Sequence, residues 1–136
     1  MGAKRKARPT AAELKILNVI WTHGPSTVRF VNDRLNEEKT PKGGGRTIGY
    51  TTTLKIMQVM AEKGLLERDE SRRSHLYGAA SPQHQVQRLL VDRLLQTAFG
   101  GSALKLVMQA LGGHKAKPEE IARIRELLDR MEGGRR

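Results

Sequence analysis

Apolar residues along the first 65 positions recur at three- and four-residue spacing, the pattern of helices that each bury one face. The first predicted helix starts after Thr10, which has the spacing of a capping box with Glu13, and it runs to about residue 22. Gly24-Pro25 then ends it, and Ser26 or Thr27 caps a second helix that ends near residue 38. Two short helices with a tight break between them favour a small helical core.

The third predicted helix follows a glycine-rich connection and opens with three consecutive threonines, Thr51 to Thr53. Leu54, Met57 and Met60 have the spacing of a face that packs against a core, and Gly64 is expected to stop the helix. Thr51, Thr52 and Lys55 fall mainly on the opposite side. The pattern therefore predicts a helix with one apolar face and one small, polar and basic face.

The rest of the chain reads as a β-hairpin followed by three helices. Two short runs, 65–69 and 74–78, flank a polar turn, which is typical of a hairpin. The helical segments after Ser81-Pro82 are too short to bury an independent core from about 55 residues, and a second copy of the chain is the simplest partner for them. The expected interface residues are Val86, Leu89, Leu90, Leu94, Phe99, Leu104, Val107, Ile121, Ile124, Leu127 and Leu128.

The fold class predicted from this order is mainly α with a small hairpin: a winged helix-turn-helix followed by a helical dimerisation domain. The predicted domains are a flexible basic arm at 1–8, a winged helix at 9–80, three dimerisation helices at 81–132 and a tail at 133–136. In such a fold the third helix enters the major groove of DNA and the hairpin reaches the backbone or minor groove. The expected DNA-binding residues are Arg46, Thr47, Thr51, Thr52, Lys55, Arg72 and Arg73.

Charge supports a polyanion as the partner, because the formal net charge is +11, with the larger share in the first 80 residues. The chain has no cysteine, and no apolar run approaches the 18 or so residues that a membrane span needs. We therefore expect a cytoplasmic protein that binds double-stranded DNA and no membrane. A purely structural interpretation is that the threonines cap the helix and that Lys55 is an ordinary solvent-exposed residue.

Three stretches, PTAAELKILNVIWTHGPSTVRFVNDRLN, YTTTLKIMQVMAEKGLLERDESRRSHLYGA and LLQTAFGGSALKLVMQAL, resemble the penicillinase-repressor family of the BlaI, MecI and CopY type. The similarity covers about residues 10 to 131. It implies a homodimeric repressor that binds two-fold symmetric operators upstream of resistance or stress genes. It also implies that Thr51, Thr52 and Lys55 belong to the recognition helix and that Arg72 and Arg73 lie in the wing.

The sequence departs from the family pattern in places that affect regulation. Several members carry a basic residue where Leu54 stands and a threonine where Lys55 stands, which puts the operator sequence in question. Antibiotic-responsive members are cut by a sensor protease at an Asn-Phe bond, and Gln109-Ala110 occupies the matching place here. The cysteine tail of copper-responsive members is absent.

Other chemistries have little support in the sequence. The four histidines are dispersed, so we expect no metal site, and no serine lies in a nucleophile motif, so we expect no enzyme activity and no cofactor. Trp21 and Tyr77 are expected to pack in a core rather than stack on bases. Two alternatives stay open: a winged helix used for protein contacts, and a basic module that binds nucleic acid without sequence preference.

Overall fold

A computed structural model describes residues 8–37, 47–71, 73–113 and 116–133. The predicted basic arm up to residue 7, residues 39–46 of the glycine-rich connection and the tail after Gly133 lie outside the described residues. The elements are α1 (Ala11–His23), α2 (Val28–Glu37), α3 (Tyr50–Glu62), β1 (Leu66–Asp69), β2 (Leu76–Ala79), α4 (Gln83–Ala98), α5 (Ala103–Gly113) and α6 (Pro118–Gly133). The chain divides into two compact units, Met1–Leu90 and Val91–Arg136, with the boundary inside α4.

Local hydrogen bonds explain where the first two helices begin. The Glu13 amide donates to Thr10 Oγ1 at 3.1 Å and the Thr10 amide donates to Glu13 Oε1 at 2.9 Å, which confirms the capping box. The Phe30 amide donates to Thr27 Oγ1 at 3.1 Å, so Thr27 caps α2. Ser26 has a different role, because its hydroxyl donates to the Gly24 carbonyl at 2.7 Å.

Helix α3 ends as the sequence predicts, at a glycine with a positive φ. Gly64 has φ 85°, a conformation that glycine adopts without a steric penalty. The Gly64 amide donates to the Ala61 carbonyl at 3.2 Å and the Leu65 amide to the Met60 carbonyl at 2.9 Å. These two bonds form a Schellman motif, which turns the chain directly into β1.

The core of the first unit lies between α1, α2, α3 and the antiparallel hairpin β1-β2. Tyr77 of β2 is 2% exposed, and its amide and carbonyl bond to the carbonyl and amide of Ser26 at 2.8 and 3.0 Å. The hairpin is therefore fixed to the turn between α1 and α2. The buried apolar residues of this core are Ile16, Leu17, Val19, Ile20, Val28, Val31, Leu35, Met57, Met60, Leu66 and Tyr77.

The second unit consists of helices with little burial of their own. Ser102 accepts from the Lys105 amide at 3.1 Å and caps α5, as predicted. Yet neither α5 nor α6 has a buried residue within its described length. No helix of the described part of the chain is long and apolar enough to cross a membrane.

Candidate nucleic-acid interface

The exposed face of α3 carries the three residues that the sequence assigns to DNA. Thr51, Thr52 and Lys55 are all exposed, whereas Met57 and Met60 on the other face are fully buried. A helix that buries one face and presents short hydroxyl side chains and one cation on the other can approach a groove closely at those positions, because threonine is small.

The third threonine has a different role from its two neighbours. Thr53 is completely buried, and its hydroxyl donates to Asn32 Oδ1 of α2 at 2.6 Å. The hydrogen bond satisfies a hydroxyl that would otherwise be costly to bury. The sequence analysis grouped the three threonines at the helix start and missed this residue; the only signal was its spacing of four residues from Met57 and seven from Met60.

A second asparagine fixes the backbone just before α3. The Asn36 side chain donates to the Ile48 carbonyl at 3.0 Å and accepts from the Ile48 amide at 2.7 Å. Asn32 and Asn36 are four residues apart and so lie on the same face of α2. Together they hold the entrance and the first turn of α3 against α2.

The far end of α3 is held by an ion pair. Lys63 Nζ lies 2.9 and 2.8 Å from the two carboxylate oxygens of Glu13, which is only 5% exposed. The same carboxylate accepts from the Thr10 amide. Helix α3 is thus held at both ends by polar contacts to the other two helices of the unit.

Of the two wing arginines that the sequence assigns to DNA, the structure describes one. Arg73 is exposed beside β2, while Arg72 lies outside the described residues.

At the base of the hairpin, Trp21 is half-buried and its Nε1 donates to the Ser81 carbonyl at 3.0 Å. Both predicted core aromatics, Trp21 and Tyr77, therefore pack as expected.

The structure also brings Arg29 of α2 beside Tyr50, the first residue of α3, although neither was predicted as a site residue. Arg29 Cζ lies 5.9 Å from the centre of the Tyr50 ring, a cation–π distance. Tyr50 is 47% exposed. Of the remaining predicted DNA-binding residues, Thr47 is exposed and Arg46 lies outside the described residues.

The predicted dimerisation residues are mostly available for contact. Leu90, Phe99, Ile121 and Ile124 are half-buried, whereas Val86 is buried within the single chain and offers little surface to a partner. Gln109 and Ala110, the pair at the place of the family's cleavage bond, are both exposed in α5. The exposed members of the predicted interface are Leu89, Leu94, Leu104, Val107, Leu127 and Leu128.

The first unit is a winged helix: three helices are followed by an antiparallel hairpin, and the hairpin bonds back to the turn between α1 and α2. The polar face of α3 is the kind of surface that DNA-binding proteins of this class present. The model of the penicillinase repressor family matches residues 9–130. The chain belongs to this family and is a DNA-binding transcriptional repressor.

The chain is also similar to two transcriptional regulators. The transcriptional regulator BlaI of Mycobacterium tuberculosis, found in two strains, is 26% identical over 124 residues, which are 90% of this chain and 83% of the relative. The crystal structure of a transcriptional regulator from Thermotoga maritima is 16% identical, with a TM-score of 0.49, over 91% of this chain and 74% of that one.

Proposed function

We propose that this protein represses a resistance or stress-response promoter as a homodimer that covers a two-fold symmetric operator in the cytoplasm. The observation that carries the proposal is the division of α3 into a buried face and an exposed face with Thr51, Thr52 and Lys55. These side chains read base edges in the major groove, where threonine contacts thymine methyls and lysine reaches guanine acceptors. Arg73 and the rest of the wing contact the backbone or the minor groove.

Dimerisation supplies much of the affinity in this proposal. One winged helix covers half an operator, and its phosphate contacts alone give weak, salt-sensitive binding. The apolar side chains of α5 and α6 have no buried member in the single chain, so pairing with a second copy is the simplest way to remove them from water. Pairing places two α3 helices about one turn of DNA apart, or a multiple of it.

The proposal includes a route by which repression ends. Gln109 and Ala110 are exposed, and a cut between them separates α6 from the winged helix. The dimer then loses the contacts of Leu127 and Leu128. The check is the intact mass of the repressor recovered from induced cells: a fragment ending at Gln109 supports this route, and only full-length protein in induced cells contradicts it.

The main experiment compares binding of the purified protein to its own upstream DNA and to scrambled DNA of equal length, at about 150 mM salt, with footprinting. We expect protection of a symmetric site and binding to scrambled DNA roughly a thousandfold weaker. Equal affinity for both duplexes would instead indicate a non-specific DNA-binding module. Binding to neither would indicate a winged helix used for protein contacts.

A further inference from the structure

One cleft in the first unit joins three elements that also form the DNA-binding surface. It has a volume of about 400 Å³ and lies between the first turns of α2 and α3 and the wing. Its lining includes Thr27 and Arg29 from the start of α2, Tyr50 from the start of α3, and Arg73 and His75 from the wing. The cleft therefore lies where the recognition helix meets the hairpin.

The charge of this cleft is one-sided. None of the described residues that line it is an aspartate or glutamate. Within the described part of the chain, the ion pairs involve other residues, so neither Arg29 nor Arg73 has a carboxylate partner. Two arginines on different elements thus line a common space, and no carboxylate is among its described lining residues.

Arg29 is also placed against the local preference of its helix. The first turn of a helix favours acidic residues, because the unbonded amides give that end a positive charge. Neither α2 nor α3 has an acidic residue in its first turn, and Arg29 adds a cation to that of α2. Such a departure from local preference is common at functional sites. An anion in the cleft would remove the unfavourable accumulation of positive charge.

Tyr50 orients Arg29 for such an anion. The guanidinium lies over the face of the ring, which leaves its N–H edges free to donate, and arginine donates to phosphate oxygens in a planar, two-point geometry. An ordered arginine also loses less side-chain entropy when it binds.

We propose that this cleft binds a phosphate of the operator backbone, held by Arg29 from one side and Arg73 from the other, with Tyr50 as the positioning residue for Arg29. The inference rests on the proposed function; it adds Arg29 to the DNA contacts and Tyr50 as the residue that positions Arg29. The bound phosphate joins the wing to the recognition helix, so it sets how deeply α3 enters the groove.

The test is the dependence of binding on salt concentration, measured for Arg29→Gln, Arg73→Gln and wild type on the protein's upstream duplex and on a scrambled duplex. Each lost phosphate contact lowers the slope of log affinity against log salt by about 0.9. We expect that loss for both variants on both duplexes, with roughly tenfold weaker binding near physiological salt. Lys15→Gln removes the same charge from the exposed side of α1 and is expected to keep the wild-type slope.

Tyr50 is tested in the same assay. Tyr50→Phe keeps the ring and is expected to keep the slope, whereas Tyr50→Leu is expected to weaken binding to both duplexes. Circular dichroism and thermal melting of each variant identify losses that come from misfolding. The proposal is overturned if a folded Arg29→Gln keeps the wild-type salt slope. It is also overturned if Arg29→Gln discriminates less between the two duplexes while its salt slope is unchanged.

The two sources of phosphate are distinguished by adding inorganic phosphate at constant ionic strength. If the cleft is built for backbone phosphate, wild type and Arg29→Gln are inhibited to the same small extent. Strong inhibition of wild type that Arg29→Gln removes would overturn the proposal in favour of a free anionic effector. Failure of the proposed function has a different signature: wild type then binds the upstream and scrambled duplexes equally well. In that case the salt slopes measured on scrambled DNA still test the cleft.

Discussion

Glu13, near the start of α1, and Lys63, just after the end of α3, are joined by two short hydrogen bonds of 2.9 and 2.8 Å although they are 50 residues apart in sequence. Because Glu13 is almost fully buried, the pair holds the end of α3 that is farthest from its threonines against α1. The same carboxylate caps α1, so one side chain serves two helices.

The pair makes stability depend on pH. Burial alone would raise the pKa of Glu13, but the hydrogen bonds from Lys63 and from the Thr10 amide outweigh it and lower the pKa below its ordinary value. A lowered carboxylate pKa contributes stability above the unfolded pKa of about 4.3, and this contribution is lost as the pH falls through the folded pKa. We expect the melting temperature of wild type to fall in that range more steeply than that of Glu13→Gln.

At neutral pH, Glu13→Gln should lower the free energy of unfolding by about 1–3 kcal/mol, because Lys63 loses a charged partner. Urea unfolding at pH 7 and at pH 3.5 measures both effects. Glu37→Gln is the matched control, since Glu37 pairs with Arg34 on the surface and such pairs contribute little. Equal pH dependence in Glu13→Gln and wild type would contradict the expectation.

Adjacent threonines in α3 should respond differently to the same substitution. Thr53→Val removes the buried hydrogen bond to Asn32 and is expected to cost about 1 kcal/mol of unfolding free energy. Thr52→Val changes an exposed side chain and should leave stability nearly unchanged while it lowers discrimination between operator and scrambled DNA. Paired measurements of unfolding and DNA binding check this, and a stable Thr53→Val with normal unfolding would refute the structural role.

Asn36 should affect DNA binding through the start of α3. Asn36→Leu removes both hydrogen bonds to Ile48, and we expect faster hydrogen exchange of the Ile48 amide and a loss of discrimination without a change in salt slope. Asn36→Asp keeps an acceptor for the Ile48 amide and should restore part of that protection. Unaltered exchange in Asn36→Leu would show that the helix start is held by other contacts.

The second unit should determine the oligomeric state. Leu127→Asp places a charge among the exposed apolar residues of α6 and is expected to shift the protein to monomer in sedimentation equilibrium, with weaker operator binding as a consequence. Ala122→Asp is the control, because a period of 3.6 residues puts it on the opposite face of the same helix. A dimer that survives Leu127→Asp would locate the interface elsewhere.

Much of this architecture follows from the sequence because it depends on local chemistry. Helix starts and stops are set by short-range hydrogen bonds, such as the Thr10 and Glu13 capping box, and by the positive φ that Gly64 adopts. Apolar spacing likewise identified the buried face of α3, and the order of the elements identified the winged helix. These features need only neighbouring residues, so a single sequence contains them.

Tertiary structure decided what depends on residues far apart in the chain. Three successive threonines look alike in sequence, and only the packing of α2 against α3 gives Thr53 a buried partner in Asn32. Packing likewise brings Lys63 to Glu13, and it brings Arg29 close to Tyr50 and Arg73. The angles between the helices and the hairpin set these distances. Periodicity specifies which face of a helix is buried, but the fold alone specifies which side chains meet there.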